Sequence, residues 1–339
     1  MVKLKDIADL LQLSVSTVSR VLNDDKHFNV ADETREKVWQ AAEKLGYVHK
    51  RKDGKKNAKQ IGLITWHNEK EEMMDPYYLS IRLGVEKQAF EKNIQLNRFF
   101  RKDGKFDFED SRLDGIIAIG KFDGEELAAF SGITPNIVFV DDTPDEGNYD
   151  SVITDFERAV FDLMDYLHQC GHRAIGFIGG RDFIGNNKLF QQDLCELAYI
   201  QYMKRKGLFK LSDLYIGRIT PDDGYTLAQS MLKRRRLPSA VFIANDLLVI
   251  GAMRAFHEHG VKIPQDISIV GFNDNDFSRY LMPALTTVKV HTEWMGKEAV
   301  NLLLERLNSA RSIAKKVILP AELVKRESCR VLHIAKTGV

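Results

Sequence analysis

Residues 4–23 read LKDIADLLQLSVSTVSRVLN and contain two short amphipathic helical patterns separated by a break. Apolar residues of the first pattern recur at the spacing of one helix face, at Leu4, Ile7, Ala8 and Leu11. Ser14 is a good N-cap for the second pattern, whose apolar residues can face inward, at Val15, Val18, Val21 and Leu22. Its polar residues then point outward, at Ser16, Thr17, Ser19 and Arg20. This spacing predicts a helix-turn-helix.

The second of these helices carries side chains suited to the major groove of DNA. Ser16 and Thr17 are short enough to approach base edges or phosphates, and Arg20 can reach a guanine. Asn23 and His27 follow the helix, where they can touch the DNA backbone. A third helical pattern runs from Asp32 to Gly46. The alternative from spacing alone is a small three-helix bundle without a nucleic-acid partner.

Charge is unevenly distributed along the 339 residues, although the net charge is only +1. Residues 1–60 carry 13 Lys/Arg against 9 Asp/Glu, whereas the remainder carries 36 against 39. Residues 49–60, HKRKDGKKNAKQ, include six cations and no large apolar residue, which predicts a basic linker. A basic N-terminal region favours contact with a polyanion.

The composition is that of a globular protein, with 44% hydrophobic and 29% charged residues. No stretch approaches the ~20 apolar residues of a transmembrane helix. Asp6 and Asp9 interrupt the apolar run of an export signal, so we expect mature structure there. Three scattered cysteines argue for a reducing compartment and against a disulfide framework or a zinc cage.

From Ile61 onward, apolar strand patterns alternate with amphipathic helical patterns. The predicted strands are 61–66, 115–120, 136–141, 174–180, 240–245 and 268–272. The predicted helices are 77–92, 155–169, 190–206, 224–235, 247–259 and 292–308. Such alternation predicts α/β architecture with parallel sheets covered on both faces. About 280 residues favour two similar lobes. Ligands of such sheets bind at the carboxyl ends of strands, here in a cleft between the lobes.

The chain resembles the LacI/GalR family of bacterial repressors along nearly its whole length. The resemblance rests on SVSTVSRVLN, on the spacing to LGY, and on core segments such as GHRAIGFIGG, IANDLLVIGAMRAF and MPALTTVKVH. Within the family it most resembles the beta-galactoside-type repressors. The resemblance implies a cytoplasmic homodimer on a palindromic operator and a periplasmic-binding-protein-like core. It further implies repression of sugar-utilisation genes that a carbohydrate effector relieves.

The resemblance also implies which residues touch DNA. They are Ser14, Val15, Ser16, Thr17, Ser19, Arg20, Asn23, His27, Thr34 and Tyr47. We expect Val15, Ser16 and Arg20 to set base choice, Val15 through apolar contact such as a thymine methyl. Family headpieces usually have Gly at the turn where this chain has Gln12, which costs ~1 kcal/mol if the backbone is left-handed. The linker also lacks the Leu that wedges into the minor groove, so we expect phosphate contact with little DNA bending.

The effector site implied by the family lies between the lobes. The first lobe supplies Trp66, His67, Asp75, Pro76, Tyr77 and Tyr78, and the second supplies Asn245, Asp246, Asn273 and Asp274. Aromatic faces with Asn and Asp side chains suit a polyhydroxylated ligand. Alternatively, Tyr77 and Tyr78 are core residues, and Asp246 caps the helix after it.

Two further cleft positions depart from the family pattern. Cys195 stands where many members have a sugar-anchoring Arg, whose bidentate contacts Cys cannot make. Ile219 stands where a Trp packs on sugar in a member of the family. The sequence therefore leaves three alternatives for this site, namely a galactoside, a different carbohydrate, and a degenerate site that binds neither.

The predicted domains are a headpiece (1–48), a linker (49–60) and a core (61–339). In the core, the N-lobe comprises about 61–157 and 290–318, and the C-lobe about 158–289 and 319–332.

No cofactor, metal site or catalytic constellation is predicted; His168 and His172 match no tetrahedral zinc spacing. A sugar-transport protein and an α/β enzyme are the rival classes, and the helix-turn-helix opposes the first. A corepressor or a non-sugar ligand is the alternative mechanism, and the sequence leaves dimer against tetramer open.

Overall fold

A computed structural model describes residues 2–22, 28, 30–47, 59–101, 105–108, 111–181, 183–184, 189–190, 193–309 and 311–332. The chain divides into two compact units, Met1–Lys59 and Gln60–Val339. None of the described helices is long and apolar enough to cross a membrane.

The first unit is a bundle of the three predicted helices, α1 (Leu4–Leu11), α2 (Val15–Leu22) and α3 (Asp32–Lys44). Their apolar faces meet in one small core, made of Ile7, Ala8, Val18, Val21, Leu22, Val38, Ala41 and Ala42. The bundle therefore buries Val18, Val21 and Leu22 of the second pattern and leaves the polar face of α2 outside. Val15, which the pattern also placed inward, is 44% exposed because it is the first residue of α2 and lies beyond the small core, so that part of the prediction was wrong.

The turn between α1 and α2 is left-handed at Gln12, with φ 53° and ψ 38°. Its backbone N–H donates to the carbonyl oxygens of Ala8 and Asp9, so the turn closes the last carbonyls of α1. The backbone at Gln12 is therefore left-handed, the condition under which Gln is costly there. A residue with a side chain occupies a conformation that glycine adopts more readily.

The second unit contains two six-stranded sheets. In the first, the strand order is β13-β5-β4-β3-β1-β2, all parallel. Its strands are β1 (Gln60–Thr65), β2 (Gln95–Phe99), β3 (Gly115–Ile119), β4 (Ile137–Val140), β5 (Asp150–Thr154) and β13 (Lys316–Leu319). We call this sheet with its helices the N-lobe.

In the second sheet, the order is β14-β12-β11-β10-β6-β9, parallel except for β14 against β12. Its strands are β6 (Ile175–Gly180), β9 (Leu214–Gly217), β10 (Ala240–Ile243), β11 (Ser268–Asn273), β12 (Thr286–Lys289) and β14 (Glu322–Val324). A separate hairpin pairs β7 (Phe183–Ile184) with β8 (Leu189–Phe190). We call the second sheet with its helices the C-lobe.

Helices cover both sheets. They are α4 (Glu69–Met74), α5 (Pro76–Glu91), α6 (Gly124–Ile133), α7 (Phe156–Gln169), α8 (Leu194–Arg205), α9 (Pro221–Leu232), α10 (Asp246–Glu258) and α11 (Thr292–Asn308). Helices α5 and α11 approach closely at Gly84 and Gly296, where an added Cβ would lie 2.1–2.2 Å from backbone oxygen of the other helix. Two short 3-10 helices, Leu211–Asp213 and Asp276–Tyr280, complete the described helical elements.

The chain passes between the lobes three times, after β5, after β12 and after β13. The third passage lies beside the first, since Asp155 N–H donates to the Leu319 carbonyl at 3.3 Å. It also lies beside the second, since Lys289 pairs with Glu322. The two lobes therefore share one set of adjoining connections and leave their strand ends facing a common cleft.

All six predicted strands are present, and the sequence missed six more in the two sheets. Strands β2, β13 and β14 lie at sheet edges and are partly exposed, so none forms an apolar run. Two predicted helix starts were also wrong. The predicted helix 190–206 begins at Leu194, after an Asp193 cap. The predicted helix 224–235 begins at Pro221, because Thr220 caps it and Pro suits the first turn.

Candidate nucleic-acid interface and effector cleft

Helix α2 presents a polar face at its N-terminal end. Ser14, Val15, Ser16 and Arg20 are exposed there, and Val15 keeps 44% of its surface accessible. Val18, on the opposite face, is fully buried. The three residues expected to choose bases thus lie outside the small core, on one side of one helix.

Ser14 organises the hydroxyl groups at the start of α2. Its Oγ accepts the Thr17 N–H at 3.0 Å, which caps the helix. The same oxygen lies 2.7 Å from Ser16 Oγ and 2.8 Å from Thr17 Oγ1. Three hydroxyls and the first backbone N–H groups therefore converge at a helix N-terminus, an arrangement that suits phosphate oxygens or base acceptors.

Arg20 extends from the next turn of α2. Its guanidinium lies over the ring of Phe28, with Cζ 5.2 Å from the ring centroid. Ser19, Thr34 and Tyr47 are partly buried around the same bundle. Asn23, His27 and linker residues 49–58 lie outside the described residues, so their roles stay predictions.

In the core, a cavity lies between the lobes and is lined by residues from both sheets. The structure places seven of the predicted effector residues in this lining: Asp75, Tyr77, Tyr78, Cys195, Ile219, Asn245 and Asn273. The sequence interpretation missed the other seven: Lys121, Asp141, Phe156, Asp193, Leu194, Ala244 and Phe272. Position was the available signal for three of them, since Lys121, Asp141 and Phe272 end or follow predicted strands.

Asp141 binds both tyrosines of the N-lobe side. Tyr77 Oη donates to Asp141 Oδ1 at 2.7 Å, and Tyr78 Oη donates to Oδ2 at 2.8 Å. All three residues are buried, and burial together with the Asp141 charge raises the pKa of both phenols well above its ordinary value. The tyrosines are thus core residues that also line the cleft, and their contact with an effector stays a prediction.

The C-lobe contributes helix caps to the cleft. The Asp193 carboxylate accepts the N–H groups of Cys195 (2.8 Å) and Glu196 (3.1 Å) at the start of α8. Burial raises the pKa of Asp193 to about 6. Asn245 accepts the N–H of Leu247 at 2.9 Å and so caps α10. Cys195 is 2% exposed, and burial raises the pKa of its thiol well above the ordinary value.

Trp66 and His67 do not belong to the described cavity lining. Trp66 packs on Gly120, where an added Cβ would lie 2.3 Å from the indole ring. His67 stacks on Trp66 with ring centroids 4.8 Å apart and an interplanar angle of 15°. Burial lowers the pKa of His67 to about 4. These aromatic rings therefore pack at the end of β1, outside the cavity lining, and their assignment to effector contact stays a prediction.

Asp246 and Asp274 are also absent from the lining. The buried Asp246 carboxylate accepts four hydrogen bonds at 2.7–3.0 Å, from Phe272 N, Asn275 N, Ser278 Oγ and Thr287 Oγ1. Asp274 pairs with Arg326 at 2.7 Å. Asp246 thus ties the start of α10 to β11 and β12. The cap of α10 that it was expected to supply comes from Asn245. Both acids hold the C-lobe together.

The described residues contain no group of three His, Cys, Asp or Glu side chains that could hold a metal ion. The chain instead combines two recognisable parts, an exposed helix-turn-helix and a two-lobed α/β core with a cleft. Together they define a DNA-binding regulator with a ligand-binding domain.

Comparisons with known proteins agree with both parts. Residues 3–49 match the family of bacterial regulatory proteins, lacI family, and residues 164–329 match the periplasmic binding protein-like domain. The chain is 37% identical over 331 residues to the HTH-type transcriptional regulator GanR of Bacillus subtilis (strain 168), covering 97% of this chain and 99% of that protein. This chain therefore belongs to the lacI family of bacterial transcriptional regulators.

Two solved structures are similar over most of their length. A transcriptional regulator CelR–cellobiose complex has a TM-score of 0.68 at 25% identity, covering 97% of this chain and 100% of that one. A lac repressor dimer bound to operator and the anti-inducer ONPF has a TM-score of 0.67 at 25% identity, covering 97% and 99%. This chain therefore shares with both structures the combination of a helix-turn-helix and a two-lobed core.

Proposed function

We propose that this protein represses sugar-utilisation genes and is released from operator DNA when a small carbohydrate, galactoside-like in class, binds between the lobes. The observation that carries the proposal is the composition of the cleft. It combines aromatic rings (Tyr77, Phe156, Phe272) with carboxylate and amide groups (Asp193, Asn245). Rings cover the C–H faces of a sugar, and the polar groups bind its hydroxyls. The solved relative CelR holds cellobiose, which supports this class of ligand.

On DNA, we propose that Val15, Ser16 and Arg20 select bases while the surrounding polar residues hold phosphates. The exposure of the α2 face and the hydroxyl cluster at Ser14 support this division. The basic linker 49–60 would grip phosphates with little bending of the duplex. Fluorescence energy transfer across labelled operator ends tests it, and a sharp bend that depends on this linker contradicts it.

We further propose a cytoplasmic homodimer that places two headpieces (1–48) on a palindromic operator, with the core (61–339) holding the effector. The lac repressor, with which the chain shares its fold, is solved as a dimer on its operator. Two headpieces related by a two-fold axis match a symmetric DNA site. Sedimentation of the full chain with and without operator DNA measures the stoichiometry, and a monomer on a single half-site contradicts it.

The size of the cleft supports a change of lobe geometry on binding. The cavity measures about 70 Å³, whereas pockets that bury drug-sized ligands start at roughly 300 Å³. A sugar would therefore enter only if the lobes part or the lining side chains rearrange. Because a ligand shifts an equilibrium by its differential affinity for two states, this change is the step that would alter DNA affinity.

The decisive experiment measures operator affinity of the full-length protein with and without a panel of mono- and disaccharides. The operator is selected from a random DNA library, and binding is followed by fluorescence anisotropy at fixed salt. We expect one sugar to weaken binding. If no sugar binds at millimolar concentration by calorimetry, the carbohydrate proposal fails. A ligand that strengthens DNA binding would instead establish the corepressor alternative, which Cys195 in place of an anchoring Arg keeps open.

A further inference from the structure

Lys121 is a positively charged residue of the cleft. It is not among the effector-binding positions that the family resemblance implies. It directly follows Gly120 at the carboxyl end of β3 and lines the cavity between the lobes. Its side chain is partly exposed. Within the described parts of the chain, no carboxylate or carbonyl oxygen pairs with its ammonium group at hydrogen-bond or ion-pair distance.

Two carboxylates, those of Asp141 and Asp193, line the same cavity as Lys121, one from each lobe. Burial raises the pKa of Asp141 and of Asp193, and the Lys121 charge is the largest influence that opposes the rise in both. Each carboxylate already has its own donors, two tyrosine hydroxyls for Asp141 and two backbone N–H groups for Asp193. Lys121 therefore lies within electrostatic reach of both acids without being hydrogen-bonded to either.

The same electrostatic environment includes Cys195, where the family resemblance predicts an arginine. The pKa of the Cys195 thiol is raised first by burial and then by Asp193, and the Lys121 charge opposes both. The C-lobe wall at this position is thus neutral and buried, while the positive charge of the cavity comes from the N-lobe. The lining contains one cation and three carboxylates, those of Asp75, Asp141 and Asp193.

We propose that Lys121 anchors the effector by donating hydrogen bonds to its hydroxyl or ring oxygens, in place of the arginine absent at position 195. The ligand class that follows is an uncharged polyhydroxylated molecule. Three carboxylates and one ammonium give the cavity a net negative charge, which repels a phosphate or carboxylate group on the ligand. The same carboxylates readily accept hydrogen bonds from the hydroxyl groups of an uncharged ligand. The inference rests on the proposed carbohydrate function and specifies the charge of its ligand.

A purely structural role would be neutralisation of the two buried acids, and stability distinguishes it from ligand anchoring. The test compares the wild-type full chain with Lys121→Met, Lys121→Arg and, as an exposed control, Lys92→Met. The probes in calorimetry are lactose, cellobiose, ribose, galacturonate and galactose 6-phosphate. Thermal unfolding of each variant without sugar provides the measure of stability.

We expect a neutral sugar to bind wild type, and Lys121→Met to weaken it roughly 10- to 100-fold, the range for loss of a charge-assisted hydrogen bond. Lys121→Arg should retain binding within about 5-fold because it restores a charged donor, and Lys92→Met should match wild type. The unfolding midpoint of Lys121→Met should fall only slightly, because the Lys121 charge favours both ionised acids but is hydrogen-bonded to neither.

Two results overturn the inference while leaving the proposed function intact. One is unchanged neutral-sugar binding by Lys121→Met, and the other is a loss of binding that follows only a large fall in its unfolding midpoint. Tighter binding of galacturonate or galactose 6-phosphate than of any neutral sugar overturns the ligand class. If wild type binds none of the five probes, the carbohydrate function itself fails and the inference fails with it.

Discussion

The DNA-reading face of α2 and the effector cleft differ in how far the fold depends on the side chains that would contact a ligand. On α2, Val15, Ser16 and Arg20 project from a helix whose other face is buried, and the fold of the bundle does not depend on their outer atoms. In the cleft, Tyr77, Tyr78 and Asp141 are buried and bonded to one another. The same side chains that would face a ligand therefore also hold the lobe together.

Because of this difference, substitutions on the reading face should change DNA affinity alone, whereas substitutions in the cleft should also change the free energy of unfolding. Changes on the reading face should alter DNA binding and leave folding unchanged, because exposed side chains contribute little to the packed core. Changes in the cleft should alter both properties, because buried polar groups cost free energy when their partners are removed.

The largest expected effect comes from Asp141→Ala. Removing the carboxylate leaves the buried hydroxyls of Tyr77 and Tyr78 without acceptors. This should destabilise the core by about 2–6 kcal/mol, at ~1–3 kcal/mol for each of the two hydroxyls. Urea unfolding of the full chain measures it. Asp142→Ala is the matched control, since Asp142 accepts only the adjacent Thr143 N–H at 2.8 Å among described hydrogen bonds. If Asp141→Ala is as stable as wild type, these cleft residues do not stabilise the core, and the proposed contrast with the reading face is wrong.

Acid stability should depend on His67, which supports the first lobe behind the cleft. Burial lowers its pKa to about 4, with Glu71 and Arg101 as the charged groups that act on it. Between pH 6.5 and 4 the unfolded chain takes up a proton that the folded chain excludes, so stability falls as the pH is lowered. The loss should reach about 3 kcal/mol at ~1.4 kcal/mol per pKa unit.

Comparison of acid titrations of wild type and His67→Phe tests this expectation. The variant should lose less stability across that pH window, while His257→Phe, on the exposed end of α10, should follow wild type. Identical pH profiles for wild type and His67→Phe would show that the buried imidazole does not contribute.

Arg20→Ala should weaken operator binding by about 1–3 kcal/mol and relax selectivity at one base pair, the range for a bidentate base contact. The thermal midpoint of the headpiece should fall only slightly, because Arg20 is exposed and loses only its contact with the Phe28 ring, worth about 0.5–1 kcal/mol. Anisotropy with the operator and with singly substituted operators measures both effects. Lys37→Ala, which removes an exposed pair with Glu33, is the control. A large loss of headpiece stability in Arg20→Ala would show that reading and folding are coupled there too.

The smallest effect should come from Gln12→Gly in the turn. Glycine adopts the left-handed conformation of this position freely but gains entropy in the unfolded chain, so the headpiece should become more stable by at most about 1 kcal/mol. Calorimetric unfolding of the full chain measures the headpiece transition. A destabilised variant would indicate that the Gln12 side chain itself supports the turn.

The headpiece could be predicted almost entirely from sequence because its patterns are local. The spacing of Ile7, Ala8, Val18 and Val21 determines which face is buried, and Ser14 marks where α2 begins. The cleft depends on which strand ends oppose each other after two lobes fold. Lys121 and Asp141 occupy such ends, but nothing local distinguishes them from Trp66, whose ring turns to Gly120 instead. Asp193 was missed because the sequence extends the helical pattern past its cap.

The three adjoining passages between the lobes have a mechanical consequence. A single linker would leave the lobes free to turn about every axis, whereas neighbouring connections tied at Asp155–Leu319 and Lys289–Glu322 behave as a short ribbon. A ribbon bends easily about the line across its width and resists twisting and shear. We therefore expect the lobes to move relative to each other mainly about one hinge axis, so that a bound ligand needs to shift the equilibrium along this one rotation.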